Sequence, residues 1–244
     1  MKRYACLMYH ETTSPAKTKY YVPIEQFRKQ MEMLKELGVS SLSLEDQLFG
    51  DQKVLLTFDD GHKSNYQAAQ IMASLGLKGY FYVVKDFSMT NPDYLSEDEI
   101  FQMSQMGHSI AIHGKNHKWW IRKSDQQLID ELAETKEWIE GITQKKVVTC
   151  AAPGGFIDKR VEECILKNFP DIKSIRTVRV GMNSAKMTSP LINIAPMHTA
   201  TSLQMFKWCV SCDPLFFSYL QSIYHSKSIL KKVYCCLGGE IKEE

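Results

Sequence analysis

Seven short apolar segments punctuate this chain: Tyr4–Tyr9, Val54–Phe58, Gly79–Val84, Ser109–His113, Val147–Ala151, Lys173–Arg176 and Leu191–Pro196. Each has the length of a buried strand, and most are separated by stretches with helical spacing. Ile24–Leu37 repeats apolar residues at Phe27, Met31, Met33, Leu34 and Leu37. Tyr66–Leu75, Glu97–Met106, Gln126–Ile142 and Lys159–Asn168 are patterned alike, and Ser96 and Ser124 stand as caps before two of them. Strands that alternate with helices pair in parallel through crossover connections. Seven such strands in 244 residues close more readily into a barrel than they lie in an open sheet. The expected architecture is α/β, with a barrel over residues 1–200 and a C-terminal helical extension over 201–244. That extension is aromatic (Phe206, Trp208, Phe216, Phe217, Tyr219, Tyr224) and then basic (Lys227, Lys231, Lys232). It reads either as a helix closing the barrel, with Asp213-Pro214 breaking the run, or as a helix lying on a membrane surface.

Charge and composition exclude several classes of function. With 30 basic against 28 acidic residues the formal charge is +2, which offers no broad basic field for nucleic acid. No run approaches the roughly 18 apolar residues of a membrane span, and the opening Met1–His10 is too short and polar-tipped for a signal peptide. The expectation is a cytoplasmic protein, with peripheral membrane association left to the tail. Seven scattered cysteines suit free thiols in a reducing compartment. Cys209-x-x-Cys212 lacks a second ligand pair at zinc-site spacing and a βαβ redox context, so it reads as structural.

The chemistry gathers just after the strands. Val54–Phe58 runs into Asp59-Asp60-Gly61, where a turn at Gly61 can bring two carboxylates into one pocket, although Asp-Gly is also an ordinary turn. Ser109–His113 ends on an imidazole, and His117 follows four residues later; if that loop turns helically, both rings share a face and clasp one ion. Two imidazoles and one carboxylate leave an open coordination position, as in catalytic sites, and a second carboxylate is then spare to take a proton from water. Val147–Ala151 leads into Ala152-Pro153-Gly154-Gly155, whose backbone can approach a ligand closely and offer an N–H to an oxyanion. His198 follows the last strand and His10 the first. Trp119 and Trp120, immediately past His117, either stack on a sugar ring or pin the loop.

Thr57-Phe-Asp-Asp-Gly61 and His113-x-x-x-His117 together resemble the first two motifs of the polysaccharide deacetylase family, the NodB-homology or carbohydrate esterase family four domain. Leu7-Met-Tyr-His10, Phe27 and the helix end at Leu34–Gly38 are similar to the opening of its exopolysaccharide and surface-glycan branch. The resemblance spans about residues 4–200. It implies a distorted (β/α) barrel of about seven strands, a divalent metal, and hydrolysis of an N-acetyl group from an amino sugar, oligosaccharide or lipid-linked glycan. It further implies that Asp59 is the general base and that Asp60, His113 and His117 hold the metal. The Gly154 N–H, after the motif Pro153, would face the oxyanion. Zinc is the first expectation for the ion; a His-His-Asp set also accepts cobalt, nickel or manganese.

The departures from the family are specific. Ala151 stands where the family often has an arginine that steadies the catalytic aspartate. Gly114 replaces a Ser or Thr after the first histidine, and Lys118 a proline after the second. No later Asp-containing motif is recognisable, so the general acid falls to His198, a residue that a plain polar loop would equally carry, with His10 in the pocket wall. A deformylase or other C–N hydrolase of the same fold, and a non-catalytic carbohydrate-binding relative, are the alternatives.

Overall fold

In the computed structural model, which describes residues 3–13, 20–44, 53–184, 186 and 189–236, all seven expected strands form and close a parallel barrel. They are β1 (Arg3–Tyr9), β3 (Lys53–Phe58), β4 (Tyr80–Val83), β5 (Ser109–Ile112), β6 (Thr149–Ala151), β7 (Ser174–Val180) and β9 (Leu191–Pro196). Neighbours pair in that order, and β9 returns to β1. Two short additions flank the ring: β2 (Ser40–Ser41) runs parallel to β3, and β8 (Asn183–Ser184) antiparallel to the start of β1. Around the barrel lie α1 (Ile24–Glu36), α2 (Asn65–Ser74), α3 (Lys85–Thr90), α4 (Glu97–Gln105), α5 (Asp125–Thr143), α6 (Lys159–Asn168), α7 (Leu203–Val210) and α8 (Pro214–Cys236).

Strand parity divides the core in two. Tyr4, Cys6 and Met8 of β1 pack inside the barrel with Leu55, Tyr80, Tyr82, Ala111 and Ala151, whereas Ala5, Leu7 and Tyr9 face the helices. Successive side chains on a strand point to opposite faces, so a barrel strand that is buried on both sides is apolar throughout. The two expected caps operate as full capping boxes. Ser96 accepts from the Glu99 N–H while Glu99 accepts from that of Ser96, and Ser124 and Gln127 do the same for α5.

Three differences from the sequence expectation have physical causes. Residues Lys85–Tyr94, which fall in none of the helical segments read from the sequence, contain α3, which buries none of its residues and so leaves no apolar period to read. β7 continues past Arg176 to Val180 through a register shift against β9. Asp213-Pro214 does more than break the tail: the Asp213 carboxylate accepts from the Phe216 N–H at 2.8 Å and Pro214 occupies the first turn, so the pair starts α8. Phe206, Cys209 and Phe217 of this segment bury in the main core. The polar stretch Thr12–Lys19 and the end of the tail lie partly outside the described residues. Among the described residues no helix is long and apolar enough to cross a membrane.

His108, at the foot of β5, carries an acid-sensitive part of the fold. Its Nε2 donates to Ala69 O at 2.9 Å and its Nδ1 accepts from the Gly79 N–H at 3.2 Å. Burial, together with Lys78 and Lys145, outweighs the Ala69 bond and pushes the imidazole down to about 4. A second proton would point Nδ1–H at the Gly79 N–H. The unfolded chain takes up this proton near pH 6.5 and the folded chain only near 4, so the stabilisation is complete above 6.5 and is lost as pH falls through that window, by about 3 kcal/mol at most. Urea midpoints measured at pH 7 and 4.5 should fall more steeply for the wild type than for His108→Gln, which mimics both hydrogen bonds without titrating. Parallel slopes would refute the assignment.

Candidate active site

Inside the barrel the parity of β3 carries through Leu55 and Thr57 to Asp59, which continues the strand by donating its N–H to Tyr9 O. Asp59 is therefore delivered to the upper end of the barrel interior, nearly buried. Its partner comes from β7. Ile175 faces the helices, so Arg176 faces inward, fully buried, and its Nη2 donates to Asp59 Oδ2. Nη1 of the same guanidinium reaches Thr177 O and Met8 Sδ at 3.1 Å, and the head lies 5.3 Å from the Tyr82 ring centroid. The sequence reading missed Arg176 as a site residue: it sits mid-strand in β7, a segment that already carries Ser174, Thr177 and Arg179, so its charge did not stand out. Asp59 Oδ1 is buried with no hydrogen bond to protein, and His10 Nε2 stands 3.9 Å from Oδ2.

Asp60 leaves the strand direction at once. Both it and Gly61 adopt left-handed φ values, 70° and 73°, and a side chain at 61 would meet Val83 Cγ1 at 3.1 Å. The turn thus begins on Asp60 itself and swings its carboxylate away from Asp59. Oδ1 lies 3.2 Å from His113 Nε2 and 3.3 Å from His117 Nε2. The helical turn expected between the two histidines does not form. Gly114 at φ 84° and His117 at φ 58° bend the loop instead, bringing the rings to 5.0 Å. Left-handed backbone at two non-glycine residues is strained, and it is concentrated here on two of the three converging groups. Burial raises the Asp60 carboxyl, but hydrogen bonds from His113 and His117 and the charges of His10 and His113 hold it well below the ordinary carboxylate range.

These residues fit a divalent ion. Their ligand atoms all lie within 4.8 Å of one another. His113 Nδ1 donates to Ala151 O at 2.9 Å, so when the ring gives up the Nε2 proton it shares with Asp60, the lone pair left at Nε2 is free to ligate an ion. Ligand atoms sharing a tetrahedral ion at bonds of about 2.0–2.1 Å stand about 3.3 Å apart, and the two Asp60–histidine separations match that edge.

The rim sorts the remaining candidates. His10 stacks on Tyr20 at 5.1 Å, and its Nδ1 is buried without a hydrogen bond to protein. Pro153 is buried, and Gly154, at φ 65°, lies so close under Trp119 that a Cβ would meet its indole nitrogen at 2.7 Å. Trp119 is held between Phe156, at 4.6 Å, and Arg122, at 4.3 Å, which is the loop-pinning alternative. Trp120 is fully buried with its indole on Glu131, so it presents no face to a sugar. Tyr66, another aromatic near the first motif, donates to Gln102 on α4. His198 is half-buried, its N–H donating to Thr201 Oγ1 at 3.1 Å.

The polysaccharide deacetylase family model matches residues 47–168, half of the chain, including both strand-end motifs. The chain belongs to the polysaccharide deacetylase family. Among curated relatives, YxkH of Bacillus subtilis is 27% identical over 158 residues, covering 61% of this chain and 56% of that protein. The peptidoglycan-N-acetylglucosamine deacetylase of Bacillus cereus is 27% identical over 110 residues, covering 44% and 49%. The chain thus spans about half the length of the curated relatives it matches. The Streptococcus pyogenes deacetylase PplD, solved in complex with acetate, superposes with a TM-score of 0.77 at 21% identity over 85% of this chain and 98% of that one, a likeness of fold.

Within this deacetylase frame the missing arginine finds its counterpart one strand away. Ala151 and Arg176 are direct register partners on β6 and β7. Ala151, small and inward-facing, leaves room for the guanidinium of its neighbour, while its carbonyl orients His113.

Proposed function

We propose that this chain is a divalent-metal-dependent deacetylase that hydrolyses the N-acetyl group of an amino sugar in a glycan, free, oligomeric or lipid-linked. The observation that carries the reading is the division of labour between adjacent carboxylates: Asp60 converges with His113 and His117, while Asp59, held by Arg176, keeps one oxygen without a hydrogen bond to protein. A divalent ion bound by Asp60, His113 and His117 supplies Lewis-acid polarisation and lowers the pKa of water toward roughly 7. Asp59 Oδ1 takes the proton of the attacking water as its oxygen bonds to the acyl carbon. The C–N bond then breaks, the amine nitrogen takes a proton from His10 Nε2, and acetate and a free amine leave. The Gly154 N–H donates to the developing oxyanion, and the exposed face of Phe156 next to it offers a platform for the sugar ring.

His10, rather than His198, takes the acid role in this reading because its ring stands against Asp59. Purified protein supplied with zinc or cobalt should release acetate, and not formate, from N-acetylglucosamine oligomers or peptidoglycan fragments. The absence of acetate release across these substrates would overturn the assignment. His10→Gln should lower kcat by about 10²-fold or more while His198→Gln stays within about fivefold of wild type; the reverse ranking would return the acid to His198.

A further inference from the structure

The loop carrying the second histidine is tied to the barrel by a carboxylate that touches neither ring. Glu131, buried on α5, accepts through Oε1 from the Lys115 backbone N–H and from the Trp120 indole N–H, both at 3.1 Å. One oxygen therefore binds the loop where it enters, two residues before His117, and where it leaves, three residues after. Its other oxygen pairs with Lys123 Nζ at 2.7 Å. The loop carbonyls are held by the start of α3, Gly114 O by the Lys85 N–H at 3.3 Å and Lys115 O by the Asp86 N–H at 2.8 Å. Between these anchors, residues 116–119 arch so that His117 takes its left-handed φ.

Gly114 belongs to the same device. A Cβ there would lie 2.9 Å from Glu131 Oε1 and 3.2 Å from Pro153 Cγ. The glycine that departs from the family's Ser or Thr thus makes space for a carboxylate arriving from α5. The carboxylate takes up the indole N–H of buried Trp120, which would otherwise lack a partner, together with the part-buried Lys115 N–H.

We propose that Glu131 is the positioning residue of the histidine loop, setting metal affinity by fixing where His117 presents its ring. The inference rests on the metal-site reading above. Groups that orient ligands in this way typically change metal affinity by 10–100-fold when removed, and holding a strained conformation requires that the surroundings over-determine it.

Two substitutions separate reach from charge. Glu131→Gln retains the acceptor for Lys115 and Trp120 but loses the charge opposite Lys123, whereas Glu131→Asp retains the charge on a side chain one methylene too short for the loop. Zn²⁺ affinity is read by competition with a chromogenic chelator, thermal melts report folding, and hydrogen exchange of the Lys115 amide reports the clamp. The expected result is Zn²⁺ binding within about threefold of wild type for Glu131→Gln, and at least tenfold weaker with faster Lys115 exchange for Glu131→Asp. Wild-type affinity in Glu131→Asp, or equal losses in both variants, would overturn the clamp while leaving the metal site intact. Failure of the wild-type protein to bind Zn²⁺ would overturn the metal reading, and the clamp with it.

Discussion

Asp59→Asn is expected to lower kcat for N-acetyl hydrolysis by about 10²–10⁴-fold, the range lost with a general base, and to leave Zn²⁺ affinity within about threefold of wild type. The reasoning is geometric. Asp59 stays on the strand axis inside the barrel, while Asp60 turns away through its left-handed backbone to meet the histidines. Asparagine keeps the shape and can present its carbonyl oxygen to Arg176, so the site retains its packing, yet it cannot accept a proton from water. Acetate release and metal titration on the same preparation decide the matter. Activity above a tenth of wild type would remove Asp59 from the base role, and loss of metal would make it a ligand.

How much of this was legible beforehand depends on the range of the interaction that fixes each part. The strands are local and, β7 apart, mostly apolar on both faces, so they could be read as runs, and the capping boxes at Ser96 and Ser124 lie within three residues of their partners. The cluster of Asp60, His113 and His117 could be read because these residues follow the ends of two strands that open on one mouth of the barrel. α3 was not, because a helix with no buried face carries no period. The bend at His117 was read as helical because spacing alone reports which residues could meet and not the backbone that brings them together; the actual conformation is imposed by Glu131 and the 85–86 amides, distant in sequence. Arg176 was the costliest omission. Its contact with Asp59 spans 117 positions, and only the register between β6 and β7 reveals that it stands beside the residue where an arginine was missed.

That register makes Arg176 the most consequential single residue to alter. Arg176→Met leaves the Asp59 carboxylate buried without its cation, a loss of about 3–5 kcal/mol, or roughly 10 °C in melting temperature for a domain of this size. Activity should fall by about 10²-fold, since a base displaced by an ångström loses that much. Arg176→Lys should recover only part of both, because one ammonium cannot serve Asp59 and Thr177 O with the geometry of a fork. Combining Arg176→Met with Asp59→Asn removes both charges, so the double variant should be more stable than Arg176→Met alone while remaining inactive. A strictly additive double variant would show that the two side chains are not coupled. The decisive variant moves the arginine. Ala151→Arg in an Arg176→Ala background exchanges the two residues across their shared rung, inside a barrel whose volume is then nearly conserved. It should restore at least tenfold of the activity lost in Arg176→Ala, because Asp59 needs a guanidinium at that level of the barrel more than it needs one from β7. If the exchange folds cooperatively yet restores nothing, the requirement belongs to the Arg176 contacts with Met8, Thr177 and Tyr82, and the two positions are not equivalent.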